Sequence, residues 1–218
     1  SERCTGRRIW MNGQLVTESE AGFSVFDSGI SGGRMVYETS RTFKGSRFRL
    51  EDHLFRLMAS MKSIGITSPL DHDSLVRATM DTIEANLEYF RSGEDFVITH
   101  NVSAGIPSGL AQQTALGIGP NIFIHLWPLS AWYPERAACY DSGVPVVVVQ
   151  KLEHPAAGLD PSIKHRDRLA FYLAEEAAKK QDEKAWPLLA DSNGEVTEGT
   201  TGNFMVVRGG ILISPQTG

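Results

Sequence analysis

Apolar and polar residues alternate over the first fifty positions in the way that is typical of β-strands. Two short apolar segments flank Asn12-Gly13, a dipeptide that favours tight hairpin turns. The segment 35–43 is rich in Val, Tyr, Thr and Phe, and a Lys-Gly turn after it predicts a return strand at 47–50. The chain therefore begins with a predicted β-meander.

The spacing of apolar residues then changes to three and four, which predicts amphipathic helices. The first helix begins at Glu51 or Asp52 and ends at Gly65. Its apolar face consists of Leu54, Leu57, Met58, Met61 and Ile64. A second helix is expected after Asp71, with Asp73 as its N-cap.

Two longer strands are expected at 96–102 and 121–129, on either side of a polar loop at 103–120. The segment 127–134 contains two prolines and two tryptophans, which is typical of a linker between domains.

The remaining segments predict a second set of strands around one helix. The β-branched run 144–152 predicts a buried strand. A helix is expected at about 166–180, with Leu169, Leu173 and Ala177 on its apolar face. Three short strands are expected at 188–189, 204–207 and 211–213.

This order of elements predicts an α+β (α/β) fold with two domains. A small N-terminal α/β domain occupies 1–126, the linker is 127–134, and 135–218 is the incomplete part of a large C-terminal domain.

Composition and charge narrow the class of protein. The 218 residues are 41% hydrophobic and 22% charged, with a formal net charge of −5, which is ordinary for a soluble globular protein. No long basic run is present, so neither nucleic acid nor a membrane is an expected partner. The polar start of the chain and its two cysteines, Cys4 and Cys139, indicate a reduced cytoplasmic protein without a signal peptide.

Two patterns of candidate chemistry are misleading. The segment 29–33 matches the Gly-x-Ser-x-Gly elbow of serine hydrolases, but that elbow needs a strand before it and a helix after it. A Gly/Ser loop that leads into a sheet is therefore the preferred interpretation, and hydrolysis through Ser31 is a distant alternative. The six histidines show no metal-ligand spacing, so no metal site is expected.

Three other segments carry the candidate chemistry: the pattern His53-x-x-Arg56-Leu57, the segment around Lys164, and the run 196–204. In this combination and order, over nearly the whole chain, the sequence resembles the fold-type IV pyridoxal-phosphate enzymes. That family includes branched-chain and D-amino-acid aminotransferases, (R)-amine transaminases and aminodeoxychorismate lyase. The resemblance implies the D-amino-acid-aminotransferase-like two-domain fold.

The resemblance also implies a role for each residue. Lys164 forms a Schiff base with pyridoxal 5'-phosphate and later moves a proton at the substrate α-carbon. Glu198 keeps the pyridine nitrogen protonated. Arg56 binds the phosphate through its planar fork of donors, and Thr200 and Thr201 add phosphate contacts.

The implied reaction is ping-pong transfer of an amino group from an amino acid, branched-chain-like or related, to a 2-oxo acid in a homodimer. Tyr37 is implied as a substrate-binding residue. Three positions depart from the family. Leu169 stands where branched-chain enzymes have a tyrosine, Gly32 where an aromatic residue is common, and His100 where D-amino-acid enzymes have an Arg-Gly turn. The substrate subclass therefore stays open.

Two alternatives remain on this fold: a lyase of the aminodeoxychorismate type, and a non-enzymatic remnant. Conversion of the cofactor to its pyridoxamine form separates a transferase from a lyase. The family continues past the equivalent of Gly218 with a further phosphate-binding turn. We therefore expect the chain to be part of a longer protein in which the large domain is completed.

Overall fold

The computed structural model describes residues 6–91, 93–113, 119–131, 134–150, 160 and 162–215. The chain forms two compact units. The first comprises Ser1–Pro134 and Asp160–Arg166, and the second comprises Glu135–Leu159 and Asp167–Gly218. The division drawn from the sequence placed Asp160–Arg166 in the second domain, whereas in the structure this segment belongs to the first unit.

The first unit is built on one antiparallel sheet. Its strands are β1 (Arg8–Met11), β2 (Gln14–Thr17), β3 (Met35–Phe43), β4 (Ser46–Arg47), β5 (Phe96–Ser103) and β6 (Asn121–Pro128). Its helices are α1 (Ser28–Ser31), α2 (Leu50–Ser63) and α3 (His72–Glu84), with 3-10 turns at Leu87–Tyr89, Ser108–Gln113 and Leu129–Ala131. The strand order is β2-β1-β6-β5-β3-β4. The predicted hairpin is confirmed: β1 and β2 pair through Asn12 and Gly13, which both have positive φ.

Helices α2 and α3 pack on one face of this sheet. Strand residues alternate between the two faces, so every second side chain of β3, β5 and β6 enters the core. The fully buried apolar side chains are Val36, Leu54, Leu57, Leu75, Ile98, Val102, Ile122, Ile124 and Leu126. Each of these contributes about 1.5–3 kcal/mol relative to an exposed position. The opposite face of the sheet carries polar, aromatic and aliphatic residues, among them Tyr37, Thr39, Val97 and Phe123.

The helix starts differ slightly from the prediction. Helix α2 begins at Leu50, one residue before the expected start, because Arg49 adopts the left-handed conformation and turns the chain out of β4. Helix α3 is capped by Asp71, whose side chain accepts a hydrogen bond from the Ser74 N–H at 2.8 Å. The predicted cap at Asp73 is wrong, because that residue already lies in the first turn of the helix.

The elbow-like segment 29–33 is not the simple loop that we expected. The one-turn helix α1 covers its first half, and Asp27 caps this helix by accepting from the Gly29 N–H at 2.7 Å. Asp27 is fully buried and also accepts from Ser103 Oγ at 2.7 Å and Asn121 Nδ2 at 2.6 Å. Strand β3 follows the segment, which is the reverse of the order that a nucleophile elbow requires.

The predicted linker 127–134 begins inside a strand. Trp127 and Pro128 are the last residues of β6 and pair with Val97 and Phe96. Residues 132–133 of this segment lie outside the described residues.

The second unit contains a smaller mixed sheet. Its elements are α4 (Pro134–Ala137), which begins at the boundary, α5 (Cys139–Ser142), β7 (Val146–Gln150), α6 (Leu169–Lys179), β8 (Trp186–Ala190), β9 (Val196–Gly199), β10 (Val206–Arg208) and β11 (Ile211–Ile213). Strands β7 and β8 are parallel and are joined by the segment that contains α6, whereas β8 and β9 are antiparallel. Strands β10 and β11 form a separate hairpin.

Two burial predictions for this unit are wrong. Strand β7 was expected to be buried, but Val148 is 57% exposed, because α6 contacts the sheet from one side only. The predicted apolar face of α6 is also displaced: Leu169 is 61% exposed, and the buried residues are Ala174 and Ala178.

Candidate active site

Lys164 lies beside the edge of the main sheet. The Tyr37 N–H donates to the Lys164 carbonyl at 3.0 Å, and the Arg166 N–H donates to the Met35 carbonyl at 2.8 Å. Between these two bonds, Val36 and His165 form an antiparallel bridge. Lys164 therefore stands opposite Tyr37, on the sheet face that α2 and α3 do not cover.

The side chains agree with this register. The Lys164 Nζ atom lies 4.8 Å from the centre of the Tyr37 ring, and the Arg166 Cζ atom lies 4.1 Å from the same centre. The Lys164 N–H also approaches the Ser60 Oγ atom of α2 at 3.3 Å. Both basic side chains thus contact the same aromatic ring, which attracts cations.

Arg56 stands one helical turn before Ser60 on α2 and is held by a buried carboxylate. Its Nε and Nη2 atoms donate to the two oxygens of Glu38, both at 2.6 Å. The Nδ1 atom of His53 lies 3.1 Å from Glu38 Oε1. Glu38 is fully buried, while the Arg56 side chain is 50% exposed.

The electrostatics of this pair favour charge on both partners. Burial of the Glu38 carboxyl favours its neutral form, but the adjacent His53 ring and the hydrogen bonds from Arg56 outweigh this effect and lower its pKa to about 2. The hydrogen bond to Glu38 raises the pKa of Arg56, and the nearby Tyr37 adds to the increase. Arg56 therefore remains a cation, held against the carboxylate of Glu38, the strand neighbour of Tyr37.

The remaining predicted residues lie in the second unit. Glu198 is on β9, where it pairs with Leu189 of β8. A tight turn follows, closed by a 2.9 Å bond from the Gly199 N–H to the Gly202 carbonyl. Thr200 is buried within this turn and Thr201 is exposed. The structure thus brings the predicted residues together as two groups, one in each unit.

Sequence reasoning missed three charged residues of these groups: Glu38, Arg166 and Arg168. Arg168 donates to the Thr200 carbonyl and so fixes the turn after Glu198. Arg166 follows Lys164 by two positions, a spacing that places both side chains on one side of an extended segment. That spacing was a usable signal, whereas the pairing of Glu38 with Arg56 depends on the packing of α2 against β3.

His100 is not available to a substrate. It is fully buried beneath α3, where its Nε2 atom lies 2.8 Å from Thr79 Oγ1. Burial lowers its pKa to about 3, so the ring is neutral. Among the described residues, no group of His, Cys, Asp and Glu has the arrangement of a metal site.

Comparison with known proteins shows the family to which this chain belongs. The model of the family described as amino-transferase class IV matches residues 35–218 of this chain. The chain belongs to this family. Class IV aminotransferases depend on pyridoxal phosphate, so the chain is a pyridoxal-phosphate-dependent aminotransferase.

Three relatives illustrate the similarity of this class IV aminotransferase to known proteins. A Methanocaldococcus jannaschii protein named as a branched-chain-amino-acid aminotransferase is 30% identical over 210 residues, covering 95% of this chain and 68% of its own length. The D-alanine aminotransferase of Bacillus licheniformis is 25% identical over 205 residues, with 94% and 67% covered. The structure of the branched-chain aminotransferase from Thermoproteus uzoniensis with norvaline has a TM-score of 0.77 at 26% identity, covering 96% of this chain and 68% of that one. The chain thus spans about two thirds of the length of these relatives.

The residues of this class IV aminotransferase fit the cofactor. Pyridoxal phosphate needs an amine for its aldehyde, a cation for its phosphate and an anion for its ring nitrogen. Within the first unit Lys164 offers an amine and Arg56 a cation, and within the second unit Glu198 offers a carboxylate. In the described part of the chain, no helix is long and apolar enough to cross a membrane.

Proposed function

We propose that this aminotransferase moves an amino group from an amino acid to a 2-oxo acid, with Lys164 as the cofactor-binding and proton-transferring residue. The observation that carries the proposal is the position of Lys164 opposite Tyr37, with Arg166 on the same ring and Arg56 bound to Glu38, the next residue of β3. When bound, pyridoxal phosphate supplies an aldehyde for amines and a ring that withdraws electrons from the α-carbon.

The residues of this chain bind the cofactor and transfer the proton. The amine of Lys164 holds the cofactor and, when freed, removes and returns the proton at the substrate α-carbon. Arg56 binds the phosphate with the exposed part of its guanidinium, and Thr200 and Thr201 add contacts. Glu198 stabilises a protonated ring nitrogen, because a carboxylate beside a cation favours its charged form. Ping-pong exchange follows, because the same site receives the amino acid and then the 2-oxo acid.

We infer that the substrate is an aliphatic 2-amino acid. The support is the names of the relatives, which are branched-chain-amino-acid and D-alanine aminotransferases, with the higher identity on the branched-chain side. Tyr37 is the proposed substrate-contacting residue, and Arg166 on the same ring supplies a cation for the substrate carboxylate. A panel of L-branched-chain amino acids, D-amino acids and aromatic amines distinguishes these classes.

The test of the function is chemical labelling of Lys164. The protein is incubated with pyridoxal phosphate, reduced with borohydride and mapped by peptide mass. We expect the label on Lys164 and none at this position in a Lys164→Ala variant, while a Lys62→Ala control on the surface of α2 labels like the parent. A label on another lysine would contradict the assignment.

We also infer that the working form is a homodimer in the cytoplasm. The support is the family resemblance for the dimer, and for a reducing compartment the presence of only two cysteines in the sequence, too few for a disulfide framework.

A further inference from the structure

Among the residues that the structure describes, Glu38 binds the guanidinium of Arg56 from one side. Its Nε and Nη2 atoms each donate to one oxygen of Glu38 at 2.6 Å, which is the bidentate geometry of a strong arginine–carboxylate pair. These bonds occupy the Nε–H and one Nη2–H. The two donors of Nη1 and the second donor of Nη2 therefore remain for another anion, and the side chain is 50% exposed.

The carboxylate that holds Arg56 is itself fixed. Glu38 is fully buried in the middle of β3, where its main chain pairs with His100 of β5. Its Oε1 atom also accepts from the Thr39 N–H at 2.9 Å and faces His53 Nδ1 at 3.1 Å. His53 and Arg56 are three residues apart on α2, so one carboxylate receives two neighbouring side chains of the same helix face.

We propose that Glu38 is the positioning residue of the phosphate subsite. It turns the Arg56 guanidinium so that the Nη1–Nη2 end, and not the Nε side, faces the phosphate. The inference rests on the proposed function, in which Arg56 binds the phosphate. A long arginine side chain loses rotational freedom when it binds an anion, and prior attachment to a rigid strand removes part of that cost. The phosphate of the cofactor then meets donors that already point in the right direction.

The test compares two ligands that differ only in the phosphate. Dissociation constants of pyridoxal phosphate and of pyridoxal are measured by absorbance for the full chain and its variants. In Glu38→Gln, we expect the constant for pyridoxal phosphate to rise about tenfold, while that for pyridoxal changes less than about twofold. Glu38→Asp keeps the charge but is too short to hold both nitrogens, so it should show the same selective loss. Glu51→Gln, an exposed acidic residue on α2, is the matched control and should behave like the parent.

Each other outcome has a defined meaning. An equal loss for both ligands would show a purely structural role for Glu38 and overturn the inference, as would no loss for either. If Arg56→Ala keeps the phosphate-dependent affinity, the phosphate role of Arg56 itself fails, which is a failure of the proposed function.

A second measurement needs no variant. On titration of the parent protein with inorganic phosphate, the nitrogen NMR signal of Arg56 Nε should stay in place while its Nη signals shift. A shift of Nε as large as that of Nη would mean that the guanidinium leaves Glu38, and the inference would then be wrong.

Discussion

At the scale of single residues, removal of the charge of Glu198 is the most direct test of the proposed amino-group transfer. Glu198→Gln keeps the size of the side chain and removes its charge, so folding and attachment at Lys164 should persist. Removal of the α-proton should slow by about a hundredfold or more, equivalent to roughly 2.7 kcal/mol, because the ring nitrogen loses its anionic partner. Single-turnover formation of the pyridoxamine form measures this rate.

The control for this prediction is Glu195→Gln, which changes an exposed acidic residue in the turn before β9. The control should react at the parent rate. Parent-like kinetics in Glu198→Gln, or a loss of folding without any loss of rate per folded molecule, would show that Glu198 is a structural residue.

His100 and Glu38 make the free energy of unfolding depend on pH, each in its own pH range. The pKa of His100 falls from 6.5 to about 3 in the folded state, so below pH 6.5 the unfolded chain binds a proton that the folded chain does not. Stability should therefore decrease as pH falls from 6.5. The pKa of Glu38 falls from 4.5 to about 2, so its contribution is lost only below pH 4.5. His125, with a pKa lowered to about 4 by burial, acts in the same direction as His100.

Urea unfolding at pH 7 and pH 5 tests the upper range. Between these two pH values, the free energy of unfolding should fall less in His100→Gln than in the parent. The difference should be roughly 1.4 kcal/mol for each pH unit below 6.5. The His72→Gln variant, altered at the first residue of α3, is the comparison. An identical pH dependence in the parent and His100→Gln would contradict the assignment.

At the scale of elements, the start of α3 gives a prediction with a built-in control. Asp71→Ala removes the acceptor of the Ser74 N–H, so we expect the Tm to fall by about 2–4 °C. Asp73→Ala changes the neighbouring acidic residue that does not cap the helix, and it should have a smaller effect. Thermal unfolding followed by circular dichroism measures the Tm of both variants. A larger fall in Tm for Asp73→Ala than for Asp71→Ala would reverse the assignment of the cap.

Local sequence patterns were sufficient to predict the helices and strands with strong apolar periodicity. The hairpin at Asn12-Gly13, strand β3 and helix α2 were each predicted nearly to the residue, because turn chemistry and apolar spacing act over a few positions. Strand β9 was missed, since its four residues contain Thr, Glu and Gly and its strand character comes from pairing with β8. The face of α6 was misjudged for a related reason: its contact with the sheet, rather than its own pattern, selects the buried residues.

At the scale of the whole molecule, the site depends on contacts between distant segments. The roles of Lys164, Arg56 and Glu198 came from the family resemblance and stay predictions. The partnership of Glu38 with Arg56, and the placement of the Lys164 segment on the edge of β3, come from tertiary packing that no local pattern encodes.

The proposed homodimer is the prediction at this scale. Sedimentation of the protein at micromolar concentration should give a mass of two chains, because the family resemblance places the active sites near the subunit boundary. Dilution should shift the distribution toward a single chain only well below this concentration. A monomer throughout the micromolar range would contradict the proposal.

The backbone of Lys164 has a kinetic consequence. The main chain of Lys164 is held against β3 by the hydrogen bonds on either side of His165. The amine of Lys164 therefore moves by rotation about its side-chain bonds. Such rotations take picoseconds to nanoseconds, whereas rearrangement of a loop takes nanoseconds to microseconds or longer. Rotation of the Lys164 side chain is therefore too fast to limit turnover. The slow step of the proposed cycle then lies in making and breaking covalent bonds or in the departure of the product.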